Sequence, residues 1–568
     1  MNRMKFNFMV IVLLFSLNLL VFLPAVKGDF IWDDRDLILD NPFIQSPSFF
    51  KNVLFSPFDV LTTESETRKE FEGQTHFYRP LTVISYRLDF LVWGFNPAGF
   101  HLTNILIHAL NTILLFFIVI ELGFKRIYAF FSAVLFSLYP LHFENTAWIS
   151  GRTDLLSFLF AAAAALFFLN YFKKNKVTPL LFSSFFFFLS LLSKENCILL
   201  PVIFFLFLWQ NSKSLKKSVS ALMPYLFFLV SWSVIRQLVL KPTSLQFSEK
   251  AFSNMFSMIG FYTFRSLFPF YLSISINSMD IFSTPVYLVI GLLIFAGLFV
   301  IGALIILKKN ESRFYLAIAS FYLLLIPSVL VLFVETARSQ AAWRFIYAPS
   351  AVLVGLLIYG FAKVIKSRRL LAAVVVLLGL VYVSELYPKN IFFGQKEKDF
   401  WTHMNNIERE SLVIQYDAAT ALLFADEEKA LSIFNHILAK QGDHPRYADY
   451  QALIQETLAS YYSTKGDLRK AEYYYGCVLK TGKPANMEFY FNYATFLSLT
   501  GNETGAKSIV MDFLRRYPGN HKVLNMAAKF FIRLKEYEKA VSLLKEDYRL
   551  FKTDESFHLL NLLKQYSE

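Results

Sequence analysis

Cysteine is nearly absent: there are two in 568 residues, Cys197 inside an apolar segment and Cys477 in the C-terminal part. Their settings differ too much to imply a disulfide framework. Charge is scarce as well, at 17% of residues, whereas 55% are hydrophobic, 18% aromatic and 65 are phenylalanine. With a positive mean hydropathy, this balance excludes an ordinary soluble globular chain and points to an integral membrane protein. A net charge of +13 would suggest a nucleic-acid partner in a soluble protein. In a polytopic one, basic residues mostly set topology, and no nucleic-acid binding is expected.

What the chain has in abundance is long apolar sequence. Residues 6 to 26, FNFMVIVLLFSLNLLVFLPAV, follow Arg3 and Lys5 and are long enough to cross a bilayer. A cleaved signal peptide has the same charge order, but Lys27-Gly28-Asp29 is a poor small-residue cleavage site, so a retained helix is expected. Apolar segments recur at about 101–120, 127–147, 155–172, 178–193, 197–210, 220–240, 284–307, 314–334, 344–363 and 369–387, giving about eleven crossings. With a cytoplasmic N-terminus, Lys125-Arg126, KKNK at 173–176, KSLKK at 213–217, KKNESR at 308–313 and KVIKSRR at 363–369 all fall inside. That is what the positive-inside rule requires, and a shift by one crossing would put them all outside. Residues 28–97, the turns near 142–154 and 194–195, the segment 241–283 and the turn 335–343 are then external, as is the region after the last crossing.

That C-terminal region returns to charged, helix-periodic sequence. Ala471, Ala506 and Ala540 align at separations of 35 and 34 residues, with Gly466 and Gly501 five positions before the first two. A small residue at a fixed place in a period of about 34 is the tetratricopeptide pattern, because close helix crossing tolerates only small side chains there. A weaker unit places Ala430 one irregular period earlier. The expected architecture is all-α: a polytopic bundle in residues 1–390 with an external loop at 28–97, followed by an α-solenoid of tetratricopeptide repeats in 391–568.

Polar residues break the apolar segments in a pattern. His101, Asn104, His108 and Asn111 stand at i, i+3, i+7 and i+10, an arc of about 80° on one helix edge. Interhelical hydrogen bonding explains such an edge; so does a polar cavity bordered by His101, with His108 and Asn111 deeper and structural. His142, Glu144, Arg152 and Asp154 cluster where Pro140 and Gly151 interrupt the helix. Asp154 could simply cap the next helix and Arg152 could make a surface ion pair. Lys194-Glu195 form the next external turn, and Arg79 precedes a segment that re-enters or lies along the membrane. All share a side with the acids of DFIWDDRDLILDN, residues 29–41. Asp33 and Asp34 could cap a short helix, bind a divalent ion, or deprotonate an incoming hydroxyl while Arg and Lys neutralise a departing phosphate.

DFIWDDRDLILDN, YRPLTVISYRLDFLVWGFNPAGFHLTNILIHALN, LYPLHFENTAWISGRTDLLSFL, LSKEN and WRFIYAPS together resemble the TMTC-like membrane proteins of the GT-C glycosyltransferase superfamily, which carry tetratricopeptide repeats. The resemblance implies transfer of a sugar, mannose in the animal members, from a polyprenyl-phosphate donor to a protein hydroxyl, with inversion. It places the family's acidic motif, regarded as catalytic, on Asp33 and Asp34; of the two, just beyond the first helix, Asp34 is expected to orient or deprotonate the acceptor with Asp33 supporting it. Donor and substrate contacts are expected from Arg79, His101, Asn104, His142, Glu144, Arg152, Asp154, Lys194, Glu195, Arg344 and Tyr347. One motif departs from the family pattern: Trp343 occupies the acidic position before Arg344, Tyr347, Pro349 and Ser350, leaving Glu335 or another residue to supply that charge. The lipid-linked sugar is the only small-molecule partner implied. The short chain, few repeats and lack of a retention tail favour a bacterial inner membrane with periplasmic catalysis. A non-catalytic membrane-anchored scaffold, and a GT-C enzyme acting on a glycan or lipid, are the alternatives; the repeats favour a protein or peptide acceptor.

Overall fold

The structure is a computed structural model describing residues 3–39, 41–45, 49–55, 77–212, 214–240, 248–274, 276, 278–307, 312–333, 341–407, 411–439, 446–481, 487–551 and 554–563. Among these residues every regular element is a helix. The described residues pack as two compact units, one drawn from 3–35, 53–55 and 77–396, the other from 36–52 and 397–563.

In the first unit, each apolar segment expected to cross the membrane is helical. Among the described residues nine helices are long and apolar enough to span, and the bent pair Arg126–Ser137 and Pro140–Thr146, kinked by 52°, makes a tenth. The kink falls where Pro140 cannot donate a backbone hydrogen bond. Val177–Ser193, at 17 residues, is the shorter member of the set. Asn96 caps the helix Pro97–Glu121 through the Ala98 N–H, and Pro97 at its first position gives up no bond the helix would have made. The end of the last membrane helix, Arg368–Phe393, ties down the start of the chain: the Asn390 amide donates to Val21 O at 2.9 Å. Gly28 fits against it because any Cβ there would lie 2.2 Å from Phe393 O.

Among the described residues two longer helices lie between the spans. Pro80–Trp93 has 14 residues, about 21 Å of helix and too short to cross. It exposes Leu88, Leu91, Val92 and Trp93 and buries Thr82, Val83, Tyr86 and Asp89. Glu249–Leu267 occupies the stretch expected to be an external loop. Serine, asparagine and threonine among its apolar residues, with charge at both ends, hide it from a search for apolar runs, while it packs on Pro285–Leu307 through paired glycines. A Cβ at Gly260 would fall 1.9 Å from Tyr287 O, and one at Gly291 1.9 Å from Phe256 O.

The second unit is a series of helix pairs at the expected period: Arg446–Lys465 with Leu468–Thr481, Met487–Leu499 with Glu503–Arg516, and His521–Arg533 with Tyr537–Phe551. Leu412–Leu422 with Glu427–Ala439 precede them. Ala430, Ala471, Ala506 and Ala540 are all completely buried. Gly466 and Gly501 turn between helices at φ +80° and +89°, and in the third pair Lys535 takes the same place at φ +59°.

Candidate active site

Three cations gather where the membrane helices end, each held by its own carboxylate. Arg79 immediately precedes the helix Pro80–Trp93; its Nη2 lies 3.1 Å from Glu195 Oε1, and its guanidinium covers the Phe77 ring at 4.0 Å. Lys194, in the extended link after Val177–Ser193, places Nζ 2.8 and 2.7 Å from the two oxygens of Asp154, and Asn196 donates to the same carboxylate. Arg344 pairs with Glu144 through Nη1 and donates its backbone N–H to that carboxylate at 3.1 Å. Such compensation keeps charge tolerable in a site withdrawn from water. The Phe345 ring lies 5.7 Å from Lys194 Nζ and 5.8 Å from the Arg344 guanidinium, joining two of the three. Burial pulls Lys194 down to about 8; Asp154 opposes the shift, while the nearby charges of Arg79 and Arg344 add to it.

The acids of the first loop stand beside this wall. Arg344 covers the Trp148 ring at 5.2 Å, and Trp148 meets Trp32 edge-on at 5.6 Å. Trp32 has φ +50°, a left-handed conformation that is costly for a bulky residue and recurs at functional sites. Asp33 follows it and is exposed, close enough for its charge to act on Arg344. Asp34 points the other way and is completely buried. Its Oδ1 accepts the Ser150 N–H at 2.8 Å and the Ser150 hydroxyl, and its Oδ2 accepts the Ile31 N–H at 3.2 Å. Burial pushes Asp34 up to about 7 against these donors, with the charge of Asp33 adding to the rise.

The other expected residues separate into two groups. Arg152, far from a surface ion pair, is completely buried. Its Nη1 lies 2.6 Å from Asp89 Oδ2, its Nε donates to Asn104 Oδ1 at 2.7 Å and its Nη2 to Phe100 O at 2.8 Å. The Asn104 amide donates to Trp148 O and Ile149 O at 2.9 and 3.1 Å. Deeper in the bundle, His108 Nδ1 lies 2.6 Å from the Tyr347 hydroxyl, to which Asn111 donates at 3.0 Å. His142 Nε2 is 2.9 Å from Ser350 Oγ in the same cluster. The bonds of Tyr347 and His142 are thus made inside the bundle. His101 is buried with Gly28 against its ring.

Sequence reading missed Asp89, Ser150, Asn196 and Trp148. Asp89 alone carried a signal, as a single acid in the apolar run FLVWG and its flank. Trp343 is a buried packing residue whose Nε1 donates to Ser273 O at 3.0 Å. The acid serving Arg344 is Glu144, 200 residues away; Glu335 lies outside the described residues. Among the described residues no three His, Cys, Asp or Glu side chains gather as a metal site.

Residues 80–235 match the family of dolichyl-phosphate-mannose-protein mannosyltransferases. The chain is 33% identical over 137 residues to the human protein O-mannosyl-transferase TMTC1, covering 24% of this chain and 15% of that protein. It is 33% identical over 157 residues to mouse TMTC4, 25% of this chain and 20% of that one, and 32% over 147 residues to human TMTC2, 26% and 17%. These matches span a fifth or less of each relative.

Proposed function

We propose that this chain, a TMTC-like integral membrane protein of the GT-C superfamily, transfers mannose or another hexose from a polyprenyl-phosphate donor to a hydroxyl of a protein acceptor on the external face. The observation that carries the reading is the wall of three carboxylate-held cations, Arg79, Lys194 and Arg344, beside the exposed Asp33. Lipid-linked donors present their phosphate at the membrane interface, where a phosphate oxygen can approach Arg344, whose side chain remains 21% exposed. As the glycosidic bond to phosphate breaks, the charge left on the polyprenyl phosphate is balanced by these cations. Asp33 takes the proton from the acceptor hydroxyl as its oxygen bonds to the sugar carbon. Asp34 holds the loop in place through Ser150, which accounts for its burial.

The helix pairs of the second unit, read as tetratricopeptide repeats, fit a protein acceptor. A cavity of about 280 Å³ opens between Met487–Leu499 and His521–Arg533, lined by Glu488, Asn492, Thr495, Lys529, Phe530 and Arg533 among others. This mixture of polar, basic and aromatic groups suits an extended peptide. Residues 1–390 form the catalytic part in this reading and 391–568 the acceptor-binding part, in a bacterial inner membrane with the repeats periplasmic.

The test is transfer by purified, reconstituted protein from radiolabelled polyprenyl-phospho-mannose, and from its hexose analogues, into a periplasmic extract. Protease-sensitive label supports the proposal. Label confined to lipid or glycan contradicts the protein acceptor, and partner capture with no transfer from any donor favours a scaffold.

A further inference from the structure

Asp89 lies in the stretch from Tyr78 to Asn111 but takes no role from the sequence, yet it is buried and meets two neighbours at short range: Arg152 at 2.6 Å and the Thr103 hydroxyl, which donates to Oδ1 at 2.7 Å. Resting on the reading of Asp33 as the reacting acid, we propose that Asp89 is a positioning residue, which fixes the Asp33–Asp34 segment through Arg152, Asn104 and the turn at 148–150.

Each link dictates the next. Arg152 is completely buried, so its charge requires a carboxylate, and Asp89 supplies it at Nη1. That contact, with Phe100 O on Nη2, leaves Nε aimed at Asn104. A guanidinium only donates, so Asn104 must turn its oxygen inward and its NH₂ outward. The NH₂ then donates to the carbonyls of Trp148 and Ile149. With those carbonyls held, the following peptide presents the Ser150 N–H to Asp34. Gly151 completes the turn because a Cβ there would sit 2.3 Å from Glu144 O. The backbone of Glu144, whose side chain holds Arg344, therefore presses on the turn that holds Asp34. Asp89 also lies on the helix that begins beside Arg79, but Arg79 keeps its own anchor in Glu195.

The relay is cut at its middle by Asn104→Asp, which leaves Arg152 fully paired while removing the two donors to the turn; Asp89→Asn cuts it at its origin. Both are compared with wild type in the reconstituted full chain, by steady-state transfer and by amide hydrogen exchange of peptides covering 28–36 and 146–153. The expected result for Asn104→Asp is a fall in kcat of about 10²-fold, a donor KM within about threefold, and loss of protection in both peptides with the rest of the bundle unchanged. Asp89→Asn combined with Ser150→Ala should cost no more than the larger single effect. If Asp89→Asn does not fold, Asn104→Asp decides alone. Unchanged protection, or lost protection with kcat within twofold of an active wild type, overturns the relay. If wild type transfers no sugar, the exchange result still decides whether Asp89 holds the loop, and only the functional reading fails.

Discussion

Ser150 donates both its backbone N–H, at 2.8 Å, and its hydroxyl to one carboxylate oxygen of Asp34, 116 residues earlier in the chain. The consequence is a division of labour between adjacent acids. Asp34 is spent on holding the loop, and Asp33, turned outward by the left-handed Trp32, is the one an acceptor can reach. Geometry ranks ahead of pKa in choosing a base, because a group that cannot reach the proton cannot take it.

Lys194 gives the site a pH dependence. Burial holds it down to about 8 in the unliganded protein, and a donor phosphate beside it favours the charged form, raising that value. Donor affinity should therefore be flat below about pH 8 and weaken above it, by up to about tenfold per pH unit until the liganded value is passed. Binding of a polyprenyl-phospho-sugar measured from pH 6.5 to 9.5 checks this. A Lys194→Arg protein should lose the break near 8; a break that persists in that variant assigns it elsewhere.

Lys535 adopts φ +59° where the two preceding repeats place glycine. Left-handed backbone costs an L-residue about 1–2 kcal/mol, and the extra flexibility of glycine in the unfolded chain offsets part of the relief. Lys535→Gly should stabilise the second unit by about 0.5–1 kcal/mol, raising its Tm by roughly 2 °C. Thermal unfolding of the full chain is the measurement, and a fall in Tm would show that the lysine is better accommodated than its φ implies.

The basic short loops predict opposite sides for Lys176 and Lys480. In a chain with Cys197 and Cys477 replaced by serine, Lys480→Cys should react with an impermeant maleimide from outside intact cells. Lys176→Cys should react only after permeabilisation. Labelling of position 480 from the cytoplasm would separate the repeats from the proposed acceptor path.

The apolar runs made the bundle legible, because burial in lipid writes itself as uninterrupted length. The helix Glu249–Leu267 was not, since serine, asparagine and threonine interrupt its apolar residues and charge marks both its ends. The polar edge of Pro97–Glu121 was read correctly as an edge, and all four of its residues are buried. Their partners were not legible. Asn104 serves the turn at 148–149, while His108 and Asn111 serve Tyr347, more than 230 residues away. Pairing across such distances is decided by packing, which no local pattern records. The same holds for Glu144, found opposite Arg344 where the local sequence offers Trp343.

The central claim is that Asp33 reacts and Asp34 positions. The measurement that tests it most directly is kcat for sugar transfer by reconstituted wild type, Asp33→Asn and Asp34→Asn at matched folding and donor binding. The account predicts that Asp33→Asn lowers kcat by about 10² to 10⁴, with the Ser150 amide as protected as in wild type. Asp34→Asn should lower kcat less, because an amide oxygen still accepts from Ser150, and should do so together with lost protection at the Ile31 amide, from which the new NH₂ cannot accept. An Asp33→Asn protein within twofold of wild type, beside an Asp34→Asn protein that is inactive with its loop intact, would contradict it.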